Sequence, residues 1–523
     1  MTNRAPALWG DPAGALPAAD VEGLGHLLRD RFPGAAFVFE APADWRGVDL
    51  QASRLRIPDS LAAICSTEPE TRLLHAVGRS FSDLVRARRG DYGNPPDVVA
   101  TPGNAGEVAA VLDWADDAGA VVVPFGGGTS VVGGVNPPGG DRPVITLQTR
   151  AMDQVLAVDP VSRAAHIAAG ATGPGLEQQL RPHGLTLRFY PQSFEYSTLG
   201  GWIATRAGGH YATRLTHIDD VVESVTAVTP AGLWSSRRLP ASGAGPSPDR
   251  MLLGSEGTLG VITDAWVRLQ QRPVHRAGTA VRFPDFATGS VAVRSIVQAG
   301  LDPASCRLLD PDEAALNGAG DGQVAVLVLG FESAERPVDL SLAEALDLCR
   351  DAGGDSVEES GGDDPAAQWR GRFLAAPYLR DALLGLSAVV ETFETVTTWD
   401  VFDEFVAHVR AATVHAVSEV CGAGIVTCRI THAYPDGAAP YFTVVAPGRR
   451  GSETQQWDAI KAAASEAILD AGGSITHHHA VGRDHRPWYD AQRPEPFAHA
   501  LRAAKQAVDP RGMLNPGVLV DLS

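Results

Sequence analysis

The run VVVPFGGGTSVVGGV, Val121 to Val135, constrains this chain more than any other stretch. A strand-forming apolar segment ends abruptly in three consecutive glycines. Gly126, Gly127 and Gly128 carry no Cβ, so neighbouring backbone N–H groups are free to converge on a single anionic oxygen. The loop is not a P-loop, because no lysine follows it. It is not GxGxxG either, because Val131 stands where the third glycine belongs and no helical pattern starts there. Alone, it reads equally well as a tight strand connection. Two further segments shift the balance: PQSFEYSTLGGWIATRAGGHY from Pro191 and MLLGSEGTLGVITDAWVRL from Met251. Both place small and polar residues where backbone must come close to a ligand. Three such segments in one unit point to an extended, phosphate-bearing molecule.

The surrounding pattern is α+β. Residues 97–128 read as strand, turn, helix, strand, glycine loop, with Asn104 as helix N-cap and Glu107 three residues later. PVITLQT, AAHIAAG, VVESVTAVTP and GVITDAWVRL read as strands, and ASGAGPSPD (Ala241–Asp249) as an inserted loop. After Gln271 a second pattern begins, with a strand, a helix and a strand up to Asp310. The buried strand QVAVLVLGF and the amphipathic helix VDLSLAEALDLCRDAG follow, with NGAGDGQ and ESGGDDPAAQ as loops. Near the N-terminus, Val21, Leu24, Leu27 and Leu28 fall at helical spacing within Asp20–Phe32. Four segments are expected: 1–90, helical or irregular; 91–272, carrying the glycine loop; 273–470, an α+β cap; and 471–523, a C-terminal segment with a histidine loop that returns to the glycine-loop domain.

At 523 residues the chain exceeds one compact core. Its net charge of −19 argues against a nucleic-acid partner, which needs a basic surface. Five cysteines without a CxxC pair argue against a disulfide framework or a zinc site, and favour a cytoplasmic location with reduced thiols. The N-terminus lacks the pattern of a secretory signal.

The order PFGGGTS, STLGGWIATRAGG, GSEGTLGVIT resembles the FAD-binding domain of the vanillyl-alcohol oxidase superfamily. The resemblance implies a two-subdomain FAD-binding domain, an α+β cap and a C-terminal helical segment. It also implies FAD contacts from Pro124, Phe125, Gly126, Gly127, Gly128, Thr129 and Ser130. A second group is Pro191, Ser193, Ser197, Thr198, Gly200, Gly201, Ala204, Thr205, Arg206 and Ala207, and a third is Ser255, Glu256, Gly257, Thr258, Leu259, Gly260 and Val261. Many members bond FAD through a histidine after the glycines. Thr129 stands there, so FAD is expected to be non-covalent.

From about His75 onward the chain is similar to the alkyldihydroxyacetonephosphate synthase family. The residues that carry this are DPASCRLLD, YLRDALL, VVETFETVTTWD, TCRITHAYPDGAAPYF and above all GGSITHHHAVGRDHRPW, with its histidines in a loop opening after a short strand. The resemblance implies proton transfer by Tyr441 and the loop of His477, His478 and His479. It implies that Arg380 binds the substrate phosphate and that Arg307 sits at the substrate pocket, where its role is equally structural. No metal is expected, since adjacent histidines rarely all face one ion. Arg483 replaces the lysine common after the histidines. The residues themselves leave plainer readings open: surface histidines, a buried strand tyrosine, a solvated helix arginine.

The implied reaction replaces the acyl group of acyl-dihydroxyacetone phosphate with a fatty alcohol through a covalent flavin–substrate adduct, a step of ether-lipid synthesis. The cap segment around VVETFETV would line an apolar tunnel for the tails. A homodimer with peripheral membrane contact is also implied. The alternatives are an FAD dehydrogenase or oxidase of a 2-hydroxy acid or similar alcohol, and a flavin-binding protein without catalysis.

Overall fold

The computed structural model describes residues 4–356 and 365–522. The expected glycine-loop unit is present as strand Val98–Ala100, helix Ala105–Asp117 and strand Val121–Phe125. Asn104 Oδ1 accepts the N–H of Glu107 at 3.0 Å, and Glu107 Oε2 accepts that of Gly103 at 2.7 Å, so two helix-start donors are satisfied. Strands Val98–Ala100, Val144–Gln148 and Val121–Phe125 run parallel, with Cys65–Ser66 added antiparallel at one edge. The other edge is covered by the C-terminal residues. The Val122 N–H donates to Met513 O at 2.8 Å, and the Asn515 N–H to Val122 O at 2.9 Å.

A second, five-stranded antiparallel sheet has the order Val155–Asp159, Ala164–Ala168, Val261–Arg268, Val222–Thr229, Gly232–Ser235. Together the two sheets form the two-subdomain flavin fold. The Ala241–Asp249 segment is an exposed loop up to the short helix Pro248–Leu252.

The cap is an eight-stranded sheet whose strands His275–Phe283, Ala325–Ser333, Ser305–Leu309, Ile425–Ala433, Gly437–Pro447 and Ala388–Glu394 lie side by side. Its side chains alternate with the period of 2 that a pleated strand imposes. Cys306, Leu308, Cys428, Ile430, Phe442, Val444, Val389 and Phe393 point to one face and join a core with helices Phe286–Gln298, Asp339–Asp351, Phe402–Cys421 and Glu453–Asp470. Each large side chain buried there contributes roughly 1.5–3 kcal/mol relative to exposure. The intervening residues face the flavin domain.

Two expectations change. Of the loop ESGGDDPAAQ, residues 359–364 lie outside the described residues, and its PAAQ end is helical, opening helix Pro365–Gly385 with proline in the first turn, where its missing N–H has no partner to lose. No strand precedes the three histidines. The backbone N–H groups there donate to a buried carboxylate rather than to a neighbouring strand. The five cysteines are free thiols. Among the described residues no helix is long and apolar enough to cross a membrane.

Candidate active site

A cavity of about 690 Å³ lies between the flavin domain and the open face of the cap sheet. Its floor is the glycine loop. A Cβ on Gly127 would stand 2.1 Å from Tyr196 O, and one on Gly126 2.3 Å from Thr198 Oγ1; Gly128 has φ +62°. Only glycine lets this loop pack so closely on the 196–198 segment. The N–H groups of residues 126–130 donate to no protein acceptor among the described residues. Five successive unspent donors facing one cavity suit the diphosphate of a dinucleotide, so the residues present fit FAD.

Of the residues expected to contact FAD, Gly126, Gly127, Gly128, Thr129, Ser130, Pro191, Ser193, Ser197, Thr198, Gly201, Thr205 and Ala207 line the cavity. The others stand behind it. Pro124 and Phe125 end the strand, and Gly200 packs on Ala169. Ala204 accepts the N–H of Glu256 through its carbonyl, and the Arg206 guanidinium turns outward to Asp219. Ser255 to Val261 form a supporting layer: Gly257, at φ +74°, lies against Pro124, and Thr258 O accepts from Lys505 Nζ at 2.7 Å. Leu259 is core, and Gly260 and Val261 lead into a strand. The buried Glu256 carboxylate accepts the N–H groups of Val481 and Gly482 at 2.9 and 2.8 Å; burial raises its pKa to about 7. Glu256 thus ties the end of the histidine loop to the flavin domain.

The cap wall is built from cross-strand rows. Arg429, Tyr441 and Glu394 are direct neighbours on three adjacent strands. The next row toward the far end is Thr427, Thr443 and Thr392, and the one after it Ile425, Val445 and Val390. The wall therefore grades from charged through hydroxyl to aliphatic. Leu24, Leu27 and Leu28 from helix Ala18–Arg31, and Leu379 and Leu383 from helix Pro365–Gly385, extend the lining.

Glu394 organises the histidine loop. Its carboxylate accepts the backbone N–H of His477, of His478 at 2.9 Å and of His479 at 2.8 Å, with the Thr476 hydroxyl at 2.7 Å. Burial alone would raise this carboxyl, but the histidines beside it and the His478 N–H hold it well below the usual range. His478 and His479 line the cavity and flank the Tyr441 ring, at centroid distances of 6.3 and 5.9 Å. Burial lowers the His478 pKa to about 3, against the opposing pull of Glu394. His477 turns behind them, toward His217 and Tyr434.

Tyr441 is buried beneath the Arg429 guanidinium, 3.8 Å above its ring. Burial raises its pKa despite Arg429 and the Thr392 hydroxyl, so it is a phenol and a donor at neutral pH. Arg429 is paired with buried Glu313. Arg307 lines the cavity while donating to the carbonyl of His210, and burial lowers its pKa to about 9. Arg380 stands at the cavity wall, giving one N–H to Arg79 O at 2.9 Å, while its Nε is enclosed without an acceptor among the described residues.

Two triads, His432/His477/His478 and Glu394/His478/His479, bring donor atoms within 4.8 Å of one another. Hydrogen bonds already engage many of these atoms: both His477 nitrogens, His432 Nε2 with Gly209 O, and the Glu394 oxygens. Sequence reasoning missed Glu394, Arg429, His432 and His217. It also missed the N-terminal strap, in which Arg4 donates to Gly127 O at 2.5 Å and the Trp9 N–H to Asp381 at 2.7 Å.

Residues 96–235 match the family described as FAD binding domain, and residues 272–519 the C-terminal domain of FAD linked oxidases. FAD is the cofactor of this fold. Alkyldihydroxyacetonephosphate synthase of Dictyostelium discoideum is 30% identical over 89% of this chain and 79% of its own length. That of Trypanosoma brucei brucei is 29% identical over 86% and 77%. A solved structure of an alkyldihydroxyacetonephosphate synthase superposes with a TM-score of 0.81 at 26% identity, covering 94% of this chain and 92% of that one. With both halves of the flavoenzyme fold in place and that similarity running through cradle and cap alike, the chain belongs to the alkyldihydroxyacetonephosphate synthase family of FAD-dependent enzymes.

Proposed function

We propose that this enzyme exchanges the acyl group of an acyl-dihydroxyacetone phosphate for a fatty alcohol, releasing the fatty acid and forming an alkyl ether. The observation that carries this reading is the graded cap wall, which sets arginines and histidines at one end of a cavity and aliphatic side chains at the other. A substrate with a phosphorylated ketone head and a long tail has that same polarity.

Arg380 holds the phosphate. Its enclosed Nε has an unspent donor, and an anion satisfies it at little further cost in desolvation. His478, neutral at physiological pH, takes the proton from the carbon between the ketone and the ester oxygen. Tyr441 donates from its phenol to the departing carboxylate. The tails lie along Val390, Ile425 and Val445 toward Leu24, Leu28 and Leu383. Bound FAD supplies a nucleophile for the exchange. It is held non-covalently, since Thr129 offers no nucleophilic ring nitrogen after the glycines. The product places the enzyme in ether-lipid synthesis, working on lipids at a membrane surface as a homodimer.

The test is to incubate purified protein with palmitoyl-dihydroxyacetone phosphate and hexadecanol. Ether product, one equivalent of palmitate and a flavin still oxidised at the end support the reading. Anaerobic bleaching of the flavin by a 2-hydroxy acid, with no ether formed, overturns it.

A further inference from the structure

The His478 ring shares a cavity wall with Tyr441, and its Nδ1 lies 3.0 Å from His477 Nδ1 and 3.6 Å from Glu394 Oε2. His477 Nε2 in turn lies 3.0 Å from His217 Nε2, and His217 Nδ1 lies 3.1 Å from the carbonyl of Arg206. Three imidazoles are therefore joined nitrogen to nitrogen, from the cavity to a rim where Arg206 and Asp220 are exposed. We propose that His478, His477 and His217 form a proton relay that carries the substrate's proton from the cavity to solvent and returns it later in the cycle. This rests on the transferase reading above.

The terminal carbonyl sets the direction of every bond in the chain. A carbonyl only accepts, so neutral His217 carries its hydrogen on Nδ1 and offers a lone pair at Nε2. His477 must then donate from Nε2 and accept at Nδ1, and His478 must donate from Nδ1. The lone pair left over is His478 Nε2, which has no protein hydrogen-bond partner among the described residues. The neighbouring hydroxyls agree with this order. The Tyr434 hydroxyl lies 3.0 Å from Thr216 Oγ1 and 2.8 Å from His477 Nε2, and its oxygen has a lone pair for the His477 N–H.

Proton balance follows. His478 Nε2 takes the proton from carbon and releases its Nδ1 proton to His477 Nδ1. His477 releases its Nε2 proton to His217 Nε2. The positive charge arrives on His217, where Asp219 and Asp220 favour it and Arg206 opposes it. Solvent then removes the proton carried on His217 Nδ1, the nitrogen at the rim. All three rings are left in their opposite tautomers, which is the arrangement that delivers a proton inward. When the alkoxy carbon is reprotonated in the second half of the exchange, the same steps run backward and restore the starting order. The relay gains and loses no proton over the cycle, and the proton that Tyr441 gives to the leaving carboxylate is replaced by the hydroxyl proton of the incoming alcohol.

Titratable groups crowd the chain, and of these Glu394 favours the charged forms of His477 and His478. His477 is faced by His432, His479, Glu394 and Tyr434, and His478 by Glu394, His479, His432, Arg307 and Tyr441. Burial lowers the pKa of all three relay histidines. His217 acts through His478 and touches no substrate.

The test uses the FAD-loaded enzyme. Washout of deuterium from the reacting carbon of labelled palmitoyl-dihydroxyacetone phosphate needs no alcohol and reads proton export directly. In His217→Ala, washout and kcat should fall about tenfold, less than the 10²–10⁴ of a group in direct contact, with KM unchanged. Added imidazole should restore both. If the alanine variant loses its flavin, His217→Gln fills the same space and cannot pass a charge. An unchanged washout rate, or a fall that imidazole does not relieve, overturns the relay. The ¹⁵N spectrum of histidine-labelled enzyme without substrate is the independent readout. It should show the Nδ1–H form for His217 and His478 and the Nε2–H form for His477, and any other pattern overturns the relay even if the enzyme makes no ether. Intact washout without ether product would sink the transferase reading alone.

Discussion

The glycine floor and the cap wall face each other across one cavity, and they are built in opposite ways. The floor works by what its residues lack. Three positions without a Cβ let Gly126–Ser130 press onto residues 196–198 with their N–H groups unspent. The wall works by what its residues carry, and it collects them from strands that are distant in the chain. Arg429, Tyr441 and Glu394 become neighbours only when their three strands pair. A backbone site tolerates no added atom but uses no particular side chain. A side-chain site tolerates conservative change in shape but not in function. The difference suggests that cofactor retention and chemistry are separable by mutation.

The harshest test of that separation is Gly127→Ala. The new Cβ would meet the backbone oxygen of Tyr196, which cannot rotate away. Forced shifts of this kind cost roughly 1–3 kcal/mol, and they would disorder the donor row itself. The purified variant should carry at least about tenfold less flavin by absorbance, a factor that about 1.4 kcal/mol supplies. Retention of full colour would show that the cradle lies elsewhere. Tyr441→Phe probes the other side. One hydroxyl is removed from a packed ring, so flavin content should be unchanged while turnover drops about 100-fold, the low end for a positioned acid. Loss of flavin in this variant would break the comparison. Val445→Phe is the mildest test. It thickens the aliphatic row without touching the histidines, so kcat/KM for hexadecanol should fall about tenfold relative to octanol, as expected for a pocket filled by a few carbons. An equal loss for both alcohols would place the tail elsewhere.

This division also explains what the sequence made legible. The floor is contiguous, and its meaning survives in a short run of letters: a strand, three glycines and no lysine. The strands and helices of the flavin domain were equally readable, because Asn104 and the short apolar runs are local signals. The residues alone made the wall readable only where its letters cluster, as in the three histidines, whereas Tyr441, Arg307 and Arg380 stood out through the family resemblance. Glu394 was hidden in VVETFETV, because nothing local distinguishes a carboxylate that accepts three backbone N–H groups from one that faces solvent. Arg429 and His217 were hidden for the same reason, since each takes its importance from a partner on another strand or loop. The loop expected over ESGGDDPAAQ failed at its PAAQ end. Polar and small residues dominate it, yet Pro365 opens a long helix that brings Arg380 to the cavity.

The strap formed by the first residues has a consequence for biosynthesis. Trp9 is held by Asp381, 372 positions further along, and Arg4 by Gly127. Residues 196–198 complete the cradle before Asp381 has been made, so the bond that fixes Trp9 forms only after the glycine floor is in place. Trp9, which lines the cavity, therefore has no anchor on the cap until that stage of synthesis.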